Sequence, residues 1–417
     1  MKHYLITILS AAMLSVGQVQ AQKYVGGDIS MLPKYEEAGV VYRDKAGNTV
    51  TDVIGSFKQE GLNAMRVRLF VDPQKASDKD KGEGVCQSLD YVTALGKRIK
   101  DAGLKLMVDF HYSDSWADPS KQWTPDAWKT LSDEALYTKI YDYTKDCLTQ
   151  LKAAGAEPDM IQTGNEISYG MLWGTEAEDS KDKNRCYTSS DANWARFTTL
   201  LRQAGKACRE VCPEARIIIH TERTAEPKVL TGFYDRMRAA SVDYDIIGLS
   251  YYPAYHGDLA TLETALKALE DKAYGKDLMV VETGYSYAWA LSDTSFDYTK
   301  TYPYSEEGQR KFTADLVAML NKHESVKGLF WWWPEDNGNH NVTSKWWNAA
   351  LYNHDTGQPY AAFYELKNFA GESTAISSTI ASHRQDATWY TLDGRRLSSQ
   401  PTRKGIYVCN GRKTLKN

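Results

Sequence analysis

Eight short apolar runs, spaced so that helix-like segments fit between them, constrain the fold of this 417-residue chain more than any other feature. The runs predict strands at Tyr24–Met31, Ala64–Phe70, Leu104–His111, Met160–Gly164, Arg216–His220, Ile246–Tyr251, Leu278–Glu282 and Lys327–Trp333. Strands that are apolar almost throughout belong to a sheet covered on both faces, as parallel strands joined by helices are. Helices are expected at Leu89–Ala102, Ser132–Ala153, Trp194–Val211, Leu259–Tyr274 and Glu306–His323. In the fourth of these, Leu259, Leu262, Leu266, Leu269 and Ala273 recur at three- and four-residue steps, the stripe a helix lays on a sheet. Eight units favour an α/β fold closed as a (β/α)8 TIM barrel over an open doubly wound sheet. The first turn also lacks the GxGxxG run of a dinucleotide-binding fold.

The two ends read differently from the middle. Lys2 and His3 precede an apolar stretch from Tyr4 to Val16 and then Val19-Gln20-Ala21, a small-x-small cleavage site. Residues 1–21 are therefore expected to be a signal peptide, with the chain exported: secreted, periplasmic or at the cell surface. The apolar stretch is shorter than the ~20 residues of a membrane span. Residues 22–371 form the expected barrel. Residues 372–387, rich in Ser, Thr and Ala, read as a linker. Residues 388–417 alternate short strand-like runs with turn signals and carry Arg395, Arg396, Arg403, Lys404, Arg412, Lys413 and Lys416. This basic, β-rich tail resembles a shortened form of the C-terminal sorting or attachment module of exported bacterial proteins. A net charge of −4 gives no basic field for nucleic acid or anionic membrane, so neither partner is expected. Six cysteines are too few to be a disulfide scaffold, and buried free thiols are the expectation.

Chemistry is expected where barrel strands end, because the carboxyl-end face carries the active site in this architecture. Gln162-Thr163-Gly164-Asn165-Glu166 closes the fourth run and Val280-Val281-Glu282-Thr283 the seventh. Two facing carboxylates are what retaining glycoside hydrolysis needs, one as acid and base and the other as nucleophile. The acid needs a raised pKa, from burial and nearby negative charge. The nucleophile must stay ionised, and Arg68 and Tyr252 are the expected groups to hold Glu282 charged. Asn165 is placed to hydrogen-bond a sugar hydroxyl. His111, His220 and His256 could suggest a metal site, but the first strand offers Gly27-Asp28-Ile29 in place of an HxH pair. No metal is expected, and the histidines read as sugar-binding or carboxylate-orienting groups. Trp116, Trp123, Trp128, Trp173, Trp289, Trp346 and Trp347 fall in expected loops, where some should stack on sugar rings.

Several longer motifs carry a family resemblance. They are Gly26-Gly27-Asp28-Ile29-Ser30, Met65-Arg66-Val67-Arg68-Leu69-Phe70, Asp109-Phe110-His111-Tyr112-Ser113-Asp114-Ser115-Trp116-Ala117-Asp118-Pro119 and Ser250-Tyr251-Tyr252-Pro253-Ala254-Tyr255-His256-Gly257. With the two glutamate motifs, they make the chain from about Val25 to Gly371 resemble the endo-β-1,4-galactanases of glycoside hydrolase family 53. The resemblance implies Glu166 as acid/base, Glu282 as nucleophile, and a β-1,4-galactan or arabinogalactan chain lying beside Asp118 to Lys121. Trp332 joins the expected substrate-binding set, which is Arg68, His111, Asp118, Lys121, Asn165, His220, Tyr252, His256 and Trp332. Three departures stand out. Trp333 occupies the place of a glutamate common in the family, Tyr255 that of a tryptophan, and the loop from Ser286 to Thr299 lacks the ligands of a structural calcium. Asp293 and Asp297 alone are a thin set for an ion that takes six to eight oxygens, so no cofactor is expected. A monomer is expected. Other retaining hydrolases of mannan, xylan or cellulose, and a non-catalytic glycan-binding barrel, stay open as alternatives.

Overall fold

The computed structural model describes residues 22–175 and 185–370, and in the C-terminal region 389–391, 396–397, 405–409 and 412–416. Eight parallel strands close into a ring: β1 (Tyr24–Asp28), β2 (Ala64–Leu69), β3 (Lys105–Phe110), β4 (Met160–Thr163), β5 (Arg216–Thr221), β6 (Ile246–Tyr251), β7 (Asp277–Thr283) and β8 (Val326–Trp332). β1 shuts the ring by pairing with β8, from Tyr24 opposite Gly328 to Asp28 opposite Trp332. The crossovers carry α1 (Val53–Gln59), α2 (Leu89–Asp101), α3 (Asp133–Ala153), α4 (Asp191–Val211), α5 (Pro227–Ala239), α6 (Leu259–Asp271) and α7 (Glu306–Leu320), and α8 (Ala361–Glu365) follows β8. The (β/α)8 barrel expected from the alternation is the fold.

Local chemistry sets the helix starts. Asp52, Ser88, Ser132, Ser190, Asp258 and Ser305 each accept a hydrogen bond from the backbone N–H three residues on, satisfying a donor the first turn leaves free. α5 has no such side-chain cap and begins with Pro227, where the missing N–H costs nothing. Several expected boundaries shift by one to three residues, and two of the shifts have a visible cause. β1 stops at Asp28, not Met31, because a short helix begins at Leu32. α6 ends at Asp271, so Ala273, with φ of +49°, lies outside the stripe and is exposed.

Alternation along the strands builds two cores. Outward residues such as Leu278, Val280, Leu329 and Trp331 pack in the layer beneath the helices. Inward residues Ala64, Met107, Met160, Ile218, Ile246, Met279, Val281 and Phe330 fill the barrel. Polar residues succeed them toward the carboxyl ends: Arg66, Asp109, Gln162, His220 and Ser250 are all buried. That change from apolar filling to charged groups marks the floor of a site.

The chain divides into a compact unit to Glu372 and a second from Ser373 to Asn417. Within the second, Arg396–Leu397, Trp389–Tyr390, Gly405–Cys409 and Arg412–Lys416 form, in that order, an antiparallel sheet. The expected signal peptide (1–21) and linker (372–387) lie outside the described residues. Among the described residues no helix is long and apolar enough to cross a membrane. Five described cysteines are free thiols, four of them buried.

Candidate active site

Two local distortions aim the glutamates. β4 ends at Thr163, and Gly164 follows with φ of +104°, a left-handed conformation that favours glycine. Glu166 itself has φ of +48°. These turns carry Asn165 and Glu166 out of the strand's alternation and over the barrel mouth. In β7 the inward residues are Met279 and Val281, so regular alternation would send residue 282 outward. The register slips there against both neighbours: Leu249 pairs Val280 while Ser250 pairs Glu282, and Leu329 pairs Val280 while Trp331 pairs Thr283. A bulge of this kind re-aims one side chain, and here it brings Glu282 inside.

Glu166 and Glu282 line the same groove on both sides. One lobe, about 440 Å³, is bounded by Pro119, Glu222, Arg223, Tyr252, Tyr255 and His256. The other, about 520 Å³, is bounded by Trp116, Asp118, Lys121, Asn165, Trp332 and Trp333. Both glutamates and Trp346 belong to each. A roomier hollow of about 680 Å³ lies between α3 and α4, and Glu134 is the only carboxylate among the described residues lining it. It has no acid pair.

Different partners hold the two carboxylates. Glu282 accepts from Tyr252 Oη at 2.8 Å and from Arg66 Nη1 at 3.3 Å. Arg66 is the hub: its Nη1 also meets Asp28 at 3.0 Å, and its Nη2 donates to Asp109 at 2.7 Å and to the Asn165 carbonyl at 2.8 Å. Glu166 has a single side-chain partner among the described residues, Ser250, whose hydroxyl donates to Oε1 at 2.6 Å. Burial pushes Glu282 up to about 7, against the pull of Arg66 and Tyr252. Burial and then the charges of Glu282 and Glu222 push Glu166 well above the usual carboxylate range, and Ser250 is the main opposing group. The guanidinium and phenol favour charge on Glu282, and Glu166, with one hydroxyl donor among other carboxylates, is the better seat for a proton. Glu282 was expected to be held ionised; enclosure raises its pKa even with a cation in contact.

The other expected residues divide into groove and support. Asp118, Lys121, Asn165, Tyr252, His256 and Trp332 line the lobes. Lys121 is anchored by Asp80 at 3.1 Å, and Asp118 caps its own turn by accepting from Ser120 N–H at 2.8 Å. His256 Nδ1 accepts the Tyr252 N–H at 3.0 Å, and burial lowers the ring to about 4, so it is neutral. His111 and His220 are enclosed, 1% and 0% exposed. His111 accepts the Ala117 N–H and lies 3.1 Å from Asp109; His220 Nδ1 lies 3.1 Å from the Asn165 side-chain oxygen, and its Nε2 bonds Ser250 at 2.8 Å.

Arg68 corrects an expectation. It pairs with Asp28 at 2.6 Å, and Arg66, not Arg68, contacts Glu282. The Arg68 guanidinium instead sits among indoles, 4.9 Å from the Trp116 ring, 4.8 Å from Trp332 and 5.3 Å from Trp333. Trp333 thus presents a ring face to that cation at the position where the family pattern has a glutamate. Of the loop tryptophans, Trp116 and Trp346 reach the groove, Trp128 and Trp173 are buried, and Trp289 is 52% exposed. Sequence reasoning missed Arg66 and Ser250 as partners of the carboxylates, and Glu222 as a third raised carboxyl beside them, at about 7 through burial. Their position at strand ends was the available signal. Among the described residues no cluster of three or more His, Cys, Asp or Glu is arranged to hold a metal ion.

The sequence profile of glycosyl hydrolase family 53 matches residues 24–363. An endo-β-1,4-galactanase of Bacillus subtilis (strain 168) is 31% identical over 316 residues, covering 74% of this chain and 69% of that protein. An arabinogalactan endo-β-1,4-galactanase of Thermothelomyces thermophilus is 31% identical over 329 residues, covering 75% and 90%. Among solved structures, the GH53 catalytic domain from Ignisphaera aggregans matches with a TM-score of 0.73 and 30% identity, covering 85% of this chain and 98% of that one.

Proposed function

Because the chain belongs to glycosyl hydrolase family 53, we propose that it is a retaining endo-β-1,4-galactanase acting on galactan or type I arabinogalactan. The observation that carries the mechanism is the unequal support of two glutamates in one groove. Glu282, held by a guanidinium and a phenol, is the nucleophile; Glu166, held by one hydroxyl among other carboxylates, is the acid. A Glu282 oxygen bonds to the anomeric carbon as the bond from that carbon to the bridging oxygen breaks, and Glu166 gives its proton to that oxygen. Water then donates a proton to Glu166 and its oxygen takes the anomeric carbon, releasing Glu282 as carboxylate. Two inversions restore the starting configuration. Asn165 has one amide hydrogen on the Ala117 carbonyl at 2.8 Å and a second to offer a sugar hydroxyl. Lobes on both sides of the pair suit a polymer bound mid-chain. The substrate follows the relatives' activities, and export, expected from residues 1–21, belongs to the same proposal.

Potato or lupin galactan is expected to release reducing sugar, while mannan, xylan and cellulose are not. The first product should carry the β-anomer by NMR. Glu282→Ala should lose galactan hydrolysis by orders of magnitude with folding intact. Glu166→Ala should still form the intermediate from an activated aryl β-galactoside, whose leaving group needs no proton. Near-normal galactan turnover by either variant overturns the assignment.

A further inference from the structure

Beneath Glu166 runs a directed line of hydrogen bonds. Three groups meet His220 Nδ1: the backbone N–H of Glu166 at 3.3 Å and the Gln162 amide at 3.0 Å can donate to it, while the Asn165 side-chain oxygen at 3.1 Å already accepts from Arg66. The Gln162 amide cannot be turned over, because its nitrogen also donates to the Asp109 carboxylate. Nδ1 therefore holds the lone pair, and the ring proton sits on Nε2. From Nε2 it is donated to Ser250 Oγ at 2.8 Å, which leaves the Ser250 proton for Glu166 Oε1 at 2.6 Å. His220 is wholly enclosed and burial keeps it neutral, so Nδ1 takes up no second proton.

An oxygen that accepts so short a hydrogen bond is a poor seat for the carboxyl's own proton. We propose that Ser250, oriented by His220, is a positioning residue that confines the catalytic proton of Glu166 to Oε2. That oxygen has no hydrogen-bond partner among the described residues, and its carboxyl lines the groove. The proposal rests on Glu166 being the acid/base. It gives the line two functions: the proton leaves from the open oxygen, and the anion left behind keeps a donor on the other. The groups facing Glu166 are Glu282 on β7, Glu222 after β5, Asp118 after β3 and Tyr252 after β6. The carboxylates push its proton affinity up, and Ser250 pulls against them.

The test is the pH dependence of kcat/KM for wild type, Ser250→Ala and Ser250→Thr, on galactan and on an activated aryl β-galactoside, with Tm measured alongside. Ser250→Ala is expected to move the alkaline limb up by about one pH unit. It should also lose about 10- to 100-fold on galactan, with a smaller loss on the aryl substrate. Ser250→Thr, which keeps the hydroxyl, should return the limb to its wild-type position. If Ser250→Ala fails to fold, Ser250→Cys, a weaker donor, should shift the limb in the same direction. An alkaline limb that stays put, or that moves equally with threonine, overturns the proposal. A limb that survives Glu166→Gln instead removes the acid assignment on which it rests.

Discussion

Arg66 and Arg68 stand two positions apart on β2 and both point into the barrel, yet they occupy different levels. Arg66 reaches Asp28, Asp109, Asn165 and Glu282, while Arg68 reaches Asp28 and three indole faces. Glu282 thus owes its ionised form to Arg66 and Tyr252 together. Tyr252→Phe removes the 2.8 Å hydrogen bond with little change of shape. As the proposed nucleophile, Glu282 must be charged to attack, so kcat/KM should fall as pH drops through its pKa, which burial raises to about 7. Losing a donor to the charged form raises that pKa, and the acid limb should move up by about one unit. A pH–rate profile checks this, and an unmoved acid limb would show that the phenol does not set the charge. That Glu166 and Glu282 would meet at the barrel mouth was legible from the sequence, because both close strand-like runs. The choice between the two arginines was not, since alternation gives them one direction and only the stagger of strands around the ring separates their levels.

At the scale of the element, both glutamates are delivered by departures from regular strand geometry. Gly164, at φ of +104°, would place an added methyl 2.7 Å from Ile167 Cγ2. Gly164→Ala should therefore cost about 1–3 kcal/mol of stability. Because the same turn aims Asn165 and Glu166, kcat should fall further than the folded fraction does; denaturant unfolding and assays at one temperature separate the two losses. The strands were legible because their apolar runs are nearly unbroken. The β7 bulge was not: two-residue periodicity counts Glu282 as outward, and only pairing with β6 and β8 reveals the slip. α5 was also hidden, since Pro227 and Gly232 read locally as breakers. At the first turn the proline is accommodated, and packing of Leu230, Phe233, Tyr234 and Met237 outweighs the glycine.

Over the whole molecule, the mouth of the barrel gathers acidic groups into poorly hydrated surroundings. Glu166, Glu222 and Glu282 are joined by Glu335 and Asp336, 0% and 1% exposed just after β8. Burial raises all five, Asp336 to about 7. In the unfolded chain these carboxyls lose their protons near pH 4. Between there and their folded values the native state binds more protons than the unfolded one, so its stability drops as pH rises. Tm is expected to be higher at pH 5 than at pH 8, and calorimetry showing the reverse would contradict the burial of these groups. The number of barrel strands was legible from the length and spacing of the chain; this concentration of acid was not, because it is gathered from loops distant in sequence.

Trp116, Trp332, Trp333 and Trp346 all border the lobe that also contains both glutamates. Indole emission depends on the polarity around the ring, and an arriving carbohydrate would replace water against these faces. The protein therefore carries its own optical gauge of occupancy. In the Glu282→Ala variant, titration with galactooligosaccharide should shift the emission spectrum to a saturating endpoint, so affinity can be read without a label and without turnover.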